Sequence, residues 1–293
     1  MEPQKKTWGM TEGGLVCLAL MLVGIVLQMA VGPVCWEMMA WPLNGLALLL
    51  LLTGIALMHA LRGRVALFRW MATLHAGILA LLMCAMMTIL LGVTRQVPAG
   101  HVPAEPIGIT SMLSFWPFVL SYVWLMLLVG MVCATRLVRP KKQNIPFLLH
   151  HLGIFIALLA GTLGSADMQR LRMVVQEGKT EWRAVDDHHR IHHLPIAIEL
   201  HDFSIIQEPE LSFSSDVTLH AKNGIIGRDT VLVNKPLSAK GWKIYQYSYD
   251  EAKGNQSDIS VFELVRDPWL PVVYVGIFMM LAGALSIFLS KKW

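Results

Sequence analysis

The sequence predicts a polytopic α-helical membrane protein of about six transmembrane helices, with a small all-β domain on the outer face between helices five and six. Three observations predict it. The 293 residues are 55% apolar and 15% charged, with a mean hydropathy of +0.55, against about 45–50% and about 25% for an ordinary soluble domain. The apolar residues gather into six runs of bilayer length, and between the last two runs the hydrophobic period changes from helical to alternating. Such a composition excludes a soluble enzyme, a disordered tail and a nucleic-acid binder.

A bilayer core needs about 20 mostly apolar residues per helix. The runs that meet this are 14–31, 43–61, 70–92, 112–134, 147–164 and 269–289. The first begins after a polar stretch and lacks a small-residue cleavage site, so it is expected to be a retained helix and not a signal peptide. Residues 1–164 then form a membrane domain, 165–268 the outer domain, and 269–293 the last helix with its tail.

Charge supplies the topology. Residues 165–268 hold 12 Lys/Arg and 16 Asp/Glu, leaving 12 basic and 4 acidic residues elsewhere. Of those 12, all but Arg95 fall in alternate connections: Lys5 and Lys6; Arg62, Arg64 and Arg69; Arg136, Arg139, Lys141 and Lys142; Lys291 and Lys292. The positive-inside rule therefore places both termini in the cytoplasm and residues 165–268 on the opposite face. Trp36, Trp41, Trp70, Trp116, Trp269 and Trp293 fall near span ends, as an aromatic belt requires.

Within the outer segment Ile196, Ile198 and Leu200 alternate with Ala197, Glu199 and His201. Further β-rich runs at 216–220, 229–233, 242–248 and 259–265 are separated by turn-forming residues, which predicts an antiparallel sheet or sandwich. The connection 93–111 carries three prolines and two glycines and reads as an extended loop. The four cysteines form no CxxC or CxxCH and read as small apolar residues. No phosphate loop, HExxH or GxSxG occurs, so those chemistries lack support and no complete catalytic site is encoded.

Ionisable side chains are rare in membrane helices, so His59, His75, His150 and His151 are the first candidates for chemistry. His59 stands beside the basic loop and reads as an interfacial residue. His75, six residues past Arg69, and His151, nine past Lys142, are expected at similar depths of roughly 10 Å. Both stand in the string HxGI, in which the glycine would let a flat ring approach. Neutral imidazole is a good ligand for haem iron. Adjacent residues point about 100° apart, so only one of His150 and His151 can face a given iron. The alternatives are a histidine bonded across helices or lining a proton path. His188, His189, His192 and His193 in HHRIHH have near metal-ligand spacing, but flanking Asp186, Asp187 and Arg190 favour a solvated loop. His101 is an outer-loop candidate without local support.

Three stretches carry a resemblance. Phe147-Leu-Leu-His-His-Leu-Gly-Ile-Phe, with His151 and Gly153, resembles the HLG helix of the ResB/CcsB family of system II cytochrome c biogenesis proteins. Val233-Asn-Lys-Pro-Leu with Gly241-Trp-Lys-Ile-Tyr-Gln is similar to that family's outer-domain signature, here Asn234, Pro236, Gly241, Trp242, Tyr245 and Gln246. Asp267-Pro268-Trp-Leu-Pro resembles its approach to the last helix. The resemblance implies a multi-pass protein of the bacterial cytoplasmic membrane with a periplasmic domain. It implies a subunit of a cytochrome c synthase that binds and exports haem b in transit. His151, His75 and His150 are the ligand candidates, and no other metal is expected. The implied partners are a CcsA-type protein bearing the WWD segment, absent here, and apocytochrome c. Two alternatives stand beside it: a b-type cytochrome subunit linked to quinol, and a haem-free scaffold. The family's typical members have fewer helices before a longer domain.

Overall fold

The structure, a computed structural model, describes residues 8–97, 104–105, 107–138, 141–206 and 212–290. Lys5, Lys6, His101, Arg139, Lys291, Lys292 and Trp293 lie outside these residues. The chain divides into two compact units, 1–166 with 269–293, and 167–268.

The first unit contains helices α1 (Met10–Val31), α2 (Leu43–Leu61), α3 (Ala66–Trp70), α4 (Leu74–Val93), α5 (Trp116–Leu137), α6 (Ile145–Leu163) and α7 (Leu270–Ser290). All but α3 are long and apolar enough to cross a membrane. α1 starts four residues before the expected 14 because the Glu12 carboxylate accepts from the Gly9 amide at 2.9 Å, capping the first turn. α5 starts at Trp116 and not at 112, since Pro117 suits a first turn and residues 109–114 wind as a tighter 3-10 segment.

The span expected over 70–92 is present but starts four residues later, at Leu74. α3 ends at Trp70, and a new helix starts at Leu74 with the Thr73 hydroxyl accepting from the Ala76 amide. Trp70 is also not the interfacial anchor that its position implied. It is 2% exposed, beside equally buried Met71, and stacks on Trp124 of α5 at 6.5 Å.

α5 packs against α1, α2, α4 and α6 and supplies much of the unit's core, including Trp124, Met126, Leu128 and Met131. The extensive α6–α7 contact has a visible cause. A Cβ on Gly153 would strike the backbone of Gly276 and Met280, and one on Gly276 the backbone of Ala157. Between apolar helices in lipid there is no hydrophobic gain to drive pairing, so close backbone approach through small residues supplies the attraction. Buried Asn44 at the start of α2 donates to the Leu163 carbonyl at the end of α6, 3.2 Å away.

The second unit is one antiparallel sheet of eight strands: β1 (Gln169–Gln176), β2 (Thr180–Val185), β3 (Ile191–Ile206), β4 (Ser212–Ala221), β5 (Gly224–Leu232), β6 (Leu237–Ala239), β7 (Trp242–Tyr249) and β8 (Ile259–Arg266). β1 and β2 precede the alternating runs legible in the sequence. The spatial order is β5-β4-β3-β2-β1-β8-β7-β6, so the sheet's two edge strands are consecutive in the chain. The turn Val233–Pro236 joins them, with a bridge between Leu232 and Lys235, and β5 lies against β6 and β7. The sheet is thereby curled on itself, which protects edges that would otherwise invite foreign strands. One face of β1, β3, β4, β7 and β8 fills the interior: Met173 and Val175, Ile198 and Leu200, Val217, Ile244, Phe262 and Leu264 are all fully buried.

Candidate functional site

In α6 the two neighbouring histidines are held differently. The His151 Nδ1–H donates to the Phe147 carbonyl one turn back, at 2.9 Å. That bond fixes the proton on Nδ1 and leaves the Nε2 lone pair as the free donor to a metal. The Phe147 ring stacks on the imidazole at 3.9 Å, and the Arg136 guanidinium sits over Phe147 at 5.3 Å. His150 instead donates through Nδ1 to the Met280 carbonyl of α7 at 3.0 Å, and its backbone fills the space where a Cβ on Gly283 would be. His150 therefore fastens the helix pair, while His151 turns elsewhere, as their angular separation on one helix requires.

Gly153 has a different reason for being glycine than the one inferred from HxGI. Its open side faces the α7 backbone, whereas a Cβ on Gly77 of the matching string would meet nothing within 4 Å. The two strings are thus not equivalent. His75 occupies the first turn of α4, because the chain breaks at Met71–Thr73, and its side chain is exposed on a helix that packs on α1 and α5. The depth of about 10 Å expected for it required an unbroken helix from Arg69.

His59, read from the sequence as interfacial, has a buried Nε2 without a hydrogen-bond partner. A buried polar atom left unpaired is costly, and such an atom in a native fold calls for a partner. One turn before it, Ile55 meets Phe155 against Gly130 of α5. Phe155 stands one turn beyond His151, and α2 and α6 run in opposite senses across that contact. His59 and His151 consequently lie on the same side of it. What hid His59 was its nearness to Arg62; the signal that recovers it is the unsatisfied nitrogen.

Along α6 from Leu152 to Leu159, an apolar groove of about 580 Å³ runs between α2, α6 and α7, lined also by Leu48, Leu52 and Val272, without a polar wall.

In the β domain, the signature residues have structural duties. Asn234 is in the turn that closes the sheet, and Pro236 leads into β6. Lys240 and Gly241 form the two-residue β6–β7 hairpin, both with positive φ (49° and 83°), which is the geometry glycine tolerates best. Trp242 is buried and Tyr245 points to the opposite face. Buried Gln246 accepts from Ser215 at 2.7 Å and donates to the Ser248 carbonyl at 3.0 Å, and Ser215 meets Ser260 at 2.6 Å. Asp267 and Pro268 follow β8 and lead to α7.

The HHRIHH stretch does not converge on a metal position, and no cluster of three or more ligand-type side chains occurs among the described residues. Asp186 gathers it instead, accepting from His192 Nε2 (2.9 Å), Arg190 Nε (2.7 Å) and the amides of His188 and Arg190. The His192 bond, joined by these others, holds the Asp186 carboxyl well below the usual range. Glu181 is likewise lowered, to about 2, by its bonds to Arg183 and to two backbone amides.

The model of the ResB-like family matches residues 143–261. That stretch contains the HHLGI and VNKPL…GWKIYQ motifs on which the resemblance rested; Asp267 and Pro268 lie just beyond it. No curated protein matches the chain. Among solved structures, a cytochrome c heme lyase CcmF is similar at 14% identity with a TM-score of 0.36, over 73% of this chain and 34% of that one. The chain thus spans about a third of that protein's length.

Proposed function

We propose that the chain is a membrane subunit of a cytochrome c synthase that binds haem within the helices and passes it on for attachment to apocytochrome c. The ResB-like match over 143–261 supports a role in cytochrome c biogenesis. The observation that carries the haem reading is His151, whose Nδ1 bond to Phe147 leaves Nε2 free for iron. The residues fit this cargo further. The His59 nitrogen is buried without a partner, the flanking side chains are apolar, and Arg136 offers a cation to a propionate. Haem brings two open axial positions and a flat apolar body; the chain's part is to supply imidazole nitrogen and to exclude water. His151 is the first ligand. His59 is the better-placed companion, and His75 the less well-placed one. The partner is a CcsA-type protein with the WWD segment, in a bacterial cytoplasmic membrane, with residues 165–268 on the periplasmic face and both termini in the cytoplasm. That arrangement follows from the alternation of basic connections.

The test is the haem absorbance of the purified chain, alone and with its partner. His151→Ala should lower haem content about tenfold, since loss of one axial bond is worth over a kilocalorie, and added imidazole should restore part of it. His59→Ala should shift the reduced spectrum while His75→Ala leaves it unchanged. A chain that carries no haem absorbance, with full cytochrome maturation after replacing His59, His75 and His151 together, would establish the haem-free scaffold instead.

A further inference from the structure

The β domain is acidic, yet its cations are not evenly paired. Arg170, Arg172, Arg183, Arg190 and Arg228 each meet a carboxylate, as does Lys253. Lys222 and Lys240, like Lys179, Lys235, Lys243 and Arg266, meet none among the described residues, but these two are exposed at hairpin tips that line a common cleft. Lys222 begins the two-residue turn between Ala221 and Gly224, and Lys240 begins the turn between Ala239 and Trp242. The strand registers bring these two tips to one end of the curled sheet, the end at which the chain enters at Gln169 and leaves at Arg266. There they line one open cleft of about 670 Å³, together with His193 and Asn223, over a floor of Leu194, Pro195 and Ala221. No carboxylate lines it.

A second observation concerns Lys240 itself. Its φ of 49° is one of only two positive values at non-glycine residues among those described. The position is the first of a turn with both central residues left-handed, where asparagine, aspartate or glycine is favoured. A lysine held there against its backbone preference is the kind of outlier that accompanies a binding role.

We propose that this cleft binds a phosphate group carried by an anionic phospholipid, with Lys222, Lys240 and His193 around the phosphate and Leu194 and Pro195 beneath the glycerol and first methylenes. Lysine ammonium binds phosphate as a point charge. The domain's arginines, which would suit a planar carboxylate better, are all but one engaged already. A chain with six helices of membrane-spanning length works among phospholipids, and an amphipathic floor suits a lipid better than a free ion.

The full chain in non-ionic detergent micelles is titrated calorimetrically with dihexanoyl-phosphatidylglycerol, dihexanoyl-phosphatidylcholine and inorganic phosphate. The phosphatidylglycerol is expected to bind saturably, and the phosphatidylcholine at least about tenfold more weakly. The double variant Lys222→Gln/Lys240→Asn should lose about tenfold or more in phosphatidylglycerol affinity. Asparagine suits the left-handed turn, so an unchanged melting temperature in that variant separates lost binding from lost folding. Inorganic phosphate binding as tightly as the lipid overturns the lipid assignment and gives the cleft to soluble phosphate compounds. Phosphatidylglycerol binding no tighter than phosphatidylcholine, or undiminished in the double variant, overturns the proposal.

Discussion

At the scale of single residues, identical short strings acquire different meanings from what lies across from them. Gly77 and Gly153 both follow HxGI histidines, but only Gly153 abuts a neighbouring backbone. Gly153→Ala should destabilise the chain by about 1–3 kcal/mol through overpacking. Gly77→Ala should be neutral or stabilise it by about 1 kcal/mol through helix propensity. Thermal unfolding in detergent compares the two directly, and equal effects would contradict the packing account. Gln246 offers a sharper contrast. Gln246→Leu leaves Ser215 and Ser260 only each other as partners in the sheet interior and should cost about 1–3 kcal/mol. Replacing all three with apolar residues should recover most of that loss, because no unpaired polar group then remains.

Among elements, the β2–β3 corner and the β4–β5 pair are held by carboxylates that ionise more readily than free ones. Arg183 lowers Glu181, His192 lowers Asp186, and Arg228 lowers Asp216. Each binds its proton more weakly in the folded chain than in the unfolded one. Their contribution is therefore complete above the ordinary carboxylate range of about 4 and is lost as pH falls towards about 2. Hydrogen-exchange protection of the β2–β3 amides should hold from neutral pH to about pH 5 and decline below it. Protection that stays level to about pH 2 would show that the sheet core alone sustains this corner. The helical elements respond to a different control. Thr73 starts α4 anew, so Thr73→Ala should fray its first turn at a cost of about 1 kcal/mol, seen as faster exchange at Ala76.

For the whole molecule, what was legible in the sequence was what depends on local physics. Six apolar runs of bilayer length yield the six long helices, and period-two alternation reveals five of the eight strands. β2 escaped because only Ala184 of Thr180–Val185 is buried, leaving no apolar alternation to read, while β1 does alternate, with Leu171, Met173 and Val175 buried, over too short a stretch to stand out beside the helix before it. The break before α4 escaped because a threonine cap inside an apolar run leaves the hydropathy unchanged. The fastening of His150 to α7 and the orphaned nitrogen of His59 depend on partners more than a hundred residues away or on the lack of one. No spacing rule contains that information, whereas His151 was visible because its helix resembles a family motif.

The pairing of Gln169 with Arg266 has a consequence beyond the sheet. A domain whose first and last residues are neighbours behaves as an insert, entering and leaving through a single gap. α6 and α7 meet independently of it, with the Trp269 side chain filling the space beside Gly164 and the glycine contacts running on from there. Exchanging residues 168–267 for a short glycine-serine linker should therefore leave the helix pair assembled and still sensitive to Gly153→Ala, as melting in detergent would show. The β domain is in that sense a removable cassette, free to change in size while the helix pair that carries His151 stays the same.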